Sequence, residues 1–132
     1  MNRHAVLEVL AEKANLAEVR DFVRHGCSVG GDGAESLDLI VEELFLNIAL
    51  HACPGEMVRI GCGAECNLAE VEFLYGGPIF NPVTDAPAPD LAAPLGERPI
   101  GGLGVFLVME LADSVEYQRD GEVNRLAVRL RI

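Results

Sequence analysis

Basic residues are scarce in this chain. Ten Lys and Arg stand against 21 Asp and Glu, so its 132 residues carry a net charge of −11. Such a surface repels polyanions and anionic lipid, which argues against a nucleic acid or a membrane surface as partner. Long apolar runs are missing too, with nothing near the roughly 18 continuous residues of a membrane span. The opening segment, Met-Asn-Arg-His-Ala-Val-Leu-Glu, reads as a strand rather than a signal peptide, and the expectation is a soluble, cytoplasmic protein. Cysteine pairing is the third absence. Cys27, Cys53, Cys62 and Cys66 contain no Cys-x-x-Cys spacing, and Cys62 and Cys66 would share one face of a strand as small apolar groups. Neither a zinc site nor a disulfide framework is expected.

Half of the residues are hydrophobic, which excludes disorder and supplies one core for a single domain spanning residues 1–132. The stretch that organises the rest runs from Ser36 to Ala52 without Gly or Pro and predicts a helix of about four to five turns. Leu37, Ile40, Val41, Leu44 and Ile48 make one apolar face, while Leu39, Leu46 and Leu50 make a second patch on nearly the opposite side. Glu43 and Asn47 are four residues apart and stack on one stripe between those patches, at roughly 240° and 280° on a wheel of 100° per residue. Glu35, Asp38 and Glu42 share the wet side. Burying a carboxylate and an amide without partners costs several kcal/mol, so this pair should face a partner, a metal or a ligand, unless the groove is simply solvated.

Around this helix the chain reads in order. Residues 3 to 11 predict a first strand. Asn15 is placed to cap a helix from Leu16 to about His25, with Gly26 as its stop. Gly30-Gly31-Asp32-Gly33 reads as a flexible connector rather than a phosphate loop, since no Gly-Lys-Ser or Gly-Lys-Thr follows. Met57 to Gly63 and Leu68 to Tyr75 read as strands joined near Glu65-Cys66-Asn67. Residues 81 to 100 hold five of the seven prolines and predict an irregular loop, of the length that commonly serves as a lid. Its end, Gly101-Gly102-Leu103-Gly104, opens an apolar helix from Val105 to Ala112, and such a junction exposes amide N–H groups at the positive end of the helix dipole. Ser114 to Arg119 and Val123 to Ile132 predict a hairpin turning at Asp120-Gly121. The fold class is α+β: a two-layer α/β sandwich with helices on one face of a mixed, mostly antiparallel sheet, not a doubly wound pattern.

Three features stand in sequence: Glu43-x-x-x-Asn47 on a helix, Gly76-Gly77-Pro78-x-Phe80-Asn81-Pro82 after a strand, and Gly101-Gly102-Leu103-Gly104 after the lid. Together they resemble the Bergerat-type ATP-binding domain shared by histidine kinases, gyrase, the Hsp90 chaperone and the mismatch-repair protein MutL. Within that superfamily the chain looks most like the bacterial anti-sigma-factor serine kinases, above all over Glu43 to Ala52 and Gly101 to Leu126, which ends in Asp113-Ser-Val-Glu-Tyr-x-Arg-x-Gly-x-x-Asn124-Arg-Leu. The resemblance implies ATP and Mg²⁺ as cofactors, with Asn47 as metal ligand and Glu43 as general base or orienting group. It also implies that Gly101, Gly102 and Gly104 approach the phosphates and that Gly77 lies beneath the adenine. The implied partners are an anti-anti-sigma (STAS-like) protein, phosphorylated on serine or threonine, and a sigma factor or similar regulator, with the kinase a homodimer.

One position departs from the pattern. Two residues before the adenine glycine the family normally has an aspartate that accepts a hydrogen bond from the adenine amino group, and Tyr75 stands there instead. A tyrosine hydroxyl can accept a hydrogen bond but is neutral and longer, and its ring could fill the base pocket. A degenerate, non-catalytic partner-binding module that has lost ATP therefore stands as the alternative. His51 reads as a structural helix residue, and Arg98 either touches a phosphate from the lid or is solvated.

Overall fold

The structure is a computed structural model and describes residues 5–85 and 102–132. Strand β1 (Ala5–Leu10) leads through a 3₁₀ turn (Lys13–Asn15) into α1 (Leu16–Cys27) and α2 (Gly31–Asn47), which runs on into a π turn (Ile48–Ala52). The hairpin β2 (Met57–Glu65) and β3 (Leu68–Tyr75) follows, then the short α3 (Pro82–Asp85), α4 (Gly102–Leu111) and the closing hairpin β4 (Ser114–Asp120) and β5 (Val123–Arg131). The five strands form one sheet in the order β1-β2-β3-β5-β4. All four described pairings are antiparallel, so the expected α+β sandwich holds while its mixed sheet resolves to an antiparallel one.

Period-two alternation decides which face of the sheet meets the helices. Val71, Phe73 and Tyr75 of β3 and Leu126, Val128 and Leu130 of β5 are buried in one core with Val19 and Val23 of α1 and Leu37, Ile40, Val41, Leu44 and Ile48 of α2. Phe45 joins them, fully buried, on a side of α2 that the wheel had not marked as apolar. The opposite face of the sheet carries ion pairs. Glu8 meets Arg59 at 2.8 Å, Glu70 meets Arg129 at 2.8 Å, and Glu72 meets Arg125. Two further pairs tie α1 to α2: Arg24 grips Asp38 through two nitrogens, and Arg20 approaches Glu42 at 3.7 Å.

Several boundaries differ from expectation, each for a local reason. Gly26 does not stop α1. The helix runs to Cys27 and ends at Ser28 in the left-handed conformation (φ 52°), while Gly26 lets α1 close on β2, since a Cβ there would lie 2.2 Å from the Cys62 sulfur. Asn15 does not cap α1 with its side chain, which instead donates to the Leu10 carbonyl at 2.9 Å. The glycine connector at residues 30–33 supplies the first turn of α2 rather than a loop. Cys66 leaves the strand: it and Asn67 form a two-residue turn with φ of 54° and 62°, so Cys62 is buried and Cys66 exposed. The closing hairpin turns one residue later than expected, at Gly121-Glu122, with Gly121 at φ 62°. The proline-rich segment is not wholly irregular, because Asn81 caps α3. Its Oδ1 accepts the Val83 N–H at 3.0 Å, its own N–H donates to Asp85 at 2.8 Å, and Pro82 fills the first helical position. The remainder of the expected lid, residues 86–100 with Arg98, and Gly101 lie outside the described residues.

Candidate nucleotide site

Helix α2 delivers two polar side chains into its apolar surroundings. Asn47 is 4% exposed and Glu43 is half-buried. Among the described residues, the buried side-chain nitrogens and oxygens without a hydrogen-bond partner are Glu43 Oε2 and Asn47 Nδ2. Native structures rarely leave such groups unpaired, and each one calls for an explanation. Burial raises the Glu43 pKa above the usual carboxylate range, and the neighbouring Glu42 adds to the rise. A carboxyl that holds its proton more tightly and an amide oxygen four residues on suit a hard cation and a proton acceptor.

The π turn follows Asn47 directly. Its wide geometry, with Cys53 N–H bonding to the Ile48 carbonyl at 3.2 Å, brings the Ala52 carbonyl against the turn that follows β3. Gly77 sits at φ 84°, and a Cβ there would lie 2.4 Å from the Ala52 oxygen, so both conformation and space demand glycine. The exposed His51 ring stands 5.9 Å from Phe80 at a tilt of 42°, in agreement with a packing role.

Tyr75 fills the place of the expected aspartate as a core residue, 2% exposed. Its hydroxyl donates to the Phe80 carbonyl at 2.7 Å, and burial, with Tyr117 adding to it, pushes its pKa up. It holds the turn together from below and brings no carboxylate to it. Gly102 begins α4 and Gly104 lies in its first turn, so these glycines are part of the helix start instead of preceding it, and α4 packs against α2. Gly101 cannot be placed with them, being outside the described residues.

Residue-by-residue reading missed Asn124 as an individual. Fully buried, it sends its Nδ2 to the carbonyls of Tyr75 (3.2 Å), Gly76 (3.0 Å) and Pro78 (3.1 Å), while its Oδ1 accepts the Phe80 N–H at 3.1 Å and the Tyr117 hydroxyl. Arg119 adds a bond to the Gly77 carbonyl at 2.9 Å. A signal was present: Asn124 occupies the core parity of β5, in line with Leu126, Val128 and Leu130, where an amide has no business unless something binds it.

Residues 9–131 match the histidine kinase-like ATPase domain family, and the chain belongs to it. No curated protein matches the chain. Among solved structures it is similar to the histidine kinase domain of the blue-light activated histidine kinase from Erythrobacter litoralis EL346. The identity is 15% and the TM-score 0.53, over 93% of this chain and 61% of that one. It is also similar to the histidine kinase AdeS of Acinetobacter baumannii, at 13% identity and a TM-score of 0.52, over 98% of this chain and 68% of that one. The chain thus spans less than two thirds of the first of these, and at such identities the likeness establishes the shared fold. Family membership supports an ATP-binding, kinase-like domain, and the two unpaired atoms, the acceptor Glu43 Oε2 and the donor Asn47 Nδ2, fit a ligand that carries both a cation and phosphate oxygens. Among the described residues no helix is long and apolar enough to cross a membrane.

Proposed function

We propose that this protein is an ATP- and Mg²⁺-dependent serine/threonine kinase of the anti-sigma type, acting on an anti-anti-sigma (STAS-like) partner and binding a sigma factor or similar regulator, as a homodimer. The observation that carries the reading is the Glu43–Asn47 stripe: among the described residues, the buried side-chain polar atoms without a partner are its Glu43 Oε2 and Asn47 Nδ2. Bound Mg²⁺ would supply charge neutralisation on the transferring phosphoryl group. Asn47 offers an amide oxygen to that ion. Glu43, its pKa raised by burial, accepts the proton of the incoming hydroxyl and orients its oxygen. Gly102 and Gly104 leave two positions at the start of α4 without a side chain, where helix N–H groups would meet the phosphates. The Gly77 turn receives the nucleoside end.

A second reading, a partner-binding module without ATP, is favoured by one observation: Tyr75 stands in place of the aspartate and its hydroxyl is spent on the Phe80 carbonyl. Calorimetric titration with ATP, with and without Mg²⁺, separates the two. Mg²⁺-dependent binding in wild type that drops at least about a hundredfold in Asn47→Ala, the worth of a metal ligand plus its phosphate contacts, supports the kinase. Wild-type protein that melts at the same temperature with and without millimolar Mg-ATP, and gives no heat, leaves the module.

A further inference from the structure

The closing hairpin does more than complete the sheet. Among the described residues, no backbone–backbone hydrogen bond closes the turn from Gly76 to Phe80, so its shape depends on side chains that reach it from outside. Those side chains are Tyr75 of β3, Arg119 of β4 and Asn124 of β5, with Tyr117 of β4 bonded to Asn124. Asn124 gathers the carbonyls of Tyr75, Gly76 and Pro78 on one amide nitrogen, and its orientation is not arbitrary. Phe80 N–H can only donate and the carbonyls can only accept, so the oxygen must face Phe80 and the nitrogen must face Tyr75, Gly76 and Pro78. The Tyr117 hydroxyl, able to donate or accept, then donates to the same oxygen. Arg119 takes the Gly77 carbonyl and braces itself on the Gly121 carbonyl at 2.8 Å.

A trans peptide points its C=O and the next N–H in opposite directions, and no cis peptide occurs among the described residues. With the Gly76 and Pro78 carbonyls drawn to Asn124, the Gly77 and Ile79 N–H groups face away from it, and residues 77–79 are exposed. We propose that Tyr117, Arg119 and Asn124 are positioning residues that preset this turn for the nucleoside end of the nucleotide. The proposal rests on the nucleotide-binding reading above. It assigns the Tyr-x-Arg-x-Gly-x-x-Asn pattern of the hairpin to the base side of the site, with no part in holding metal or phosphate.

The test compares Mg-ATP with Mg-tripolyphosphate, which keeps the phosphates and lacks the nucleoside, by titration calorimetry on folded, melt-checked protein. Arg119→Ala and Tyr117→Phe each weaken Mg-ATP by about tenfold, the effect of one lost hydrogen bond to a preorganised turn, and leave Mg-tripolyphosphate within about twofold. Arg119→Lys, which keeps a donor for the Gly77 carbonyl, recovers most of the loss. Asn124→Asp, which replaces the donor with an acceptor, is the severest change. If it fails to fold, the Arg119 pair still decides. If wild type binds ATP but no measurable tripolyphosphate, the nucleoside end carries the affinity and an ATP loss in Arg119→Ala reversed by Arg119→Lys supports the proposal. Equal losses for both ligands, unchanged ATP affinity in the folded variants, or a wild type that binds ATP no better than tripolyphosphate overturns it while leaving the phosphate site standing. A wild type that binds neither ligand overturns the nucleotide reading and this proposal together.

Discussion

The two ends of the candidate site are built on opposite principles. At the Gly76–Phe80 turn the carbonyls of Tyr75, Gly76, Gly77, Pro78 and Phe80 and the N–H of Phe80 already have side-chain partners. At the Glu43–Asn47 stripe two buried polar atoms have none. The first region is held in shape before any ligand arrives, so binding need not order it. The second carries a standing penalty that a ligand would relieve, which is the usual trade of stability for function. The contrast teaches that the domain spends its polar groups unevenly: structure is secured where recognition must be rigid, and left incomplete where charge must be met.

The contrast makes measurable demands. Asn124→Ala removes five hydrogen bonds at once and strands buried carbonyls, so a urea melt should show a loss of about 3 kcal/mol or more. Gly77→Ala forces a left-handed alanine against the Ala52 oxygen, and its loss in the same melt should be about 2–3 kcal/mol. Asn47→Ala should behave differently. It deletes an amide whose Nδ2 has no partner, so the melt should stay within about 1 kcal/mol of wild type even as Mg²⁺-dependent ATP binding disappears. A collapse of Asn47→Ala comparable to that of Asn124→Ala would erase the distinction between the two ends.

The smallest effect concerns Glu43. Its folded-state pKa is raised by burial, so over the window from the ordinary carboxylate value up to that raised one the folded protein binds more protons than the unfolded chain. Stability is therefore fully present below the window and falls as pH rises through it. Glu43→Gln cannot ionise and should escape this loss, melting higher than wild type at neutral pH and converging with it in acid. Scanning calorimetry of both proteins from pH 4 to 8 checks the sign, and a variant that melts lower at pH 7 would show that the carboxylate is paired after all.

Much of this arrangement was legible in the chain because it rests on periodicity. The spacing of Leu37, Ile40, Val41, Leu44 and Ile48 located the buried face of α2, and the same wheel set Glu43 and Asn47 between apolar patches. Alternation located β3 and β5 to within a residue or two. What escaped depends on contacts between distant segments. Gly26 looks like a helix stop until the Cys62 sulfur is seen beneath it, and Phe45, outside both apolar faces read from the wheel, is fully buried in the core. Asn81 with Asp85 is a local capping signal that the surrounding prolines obscured. Tyr75 was recognised as a departure, but its role as a donor to Phe80 required the turn to fold back over five residues.

The π turn at Ile48–Ala52 has a consequence for how this segment can vary. It accommodates one residue more than an α-helical turn would over the same path, and the Ala52 carbonyl meets Gly77 only in that phase. Deleting a single residue between Asn47 and Cys53 would restore ordinary helical geometry and rotate everything after it by about 100°. The carbonyl would swing away from the turn, and the two ends of the site would lose their common wall. Exchanges of side chain at the exposed Leu50 or His51 leave that phase untouched. In this stretch, then, the chain tolerates changes of residue type far better than changes of length.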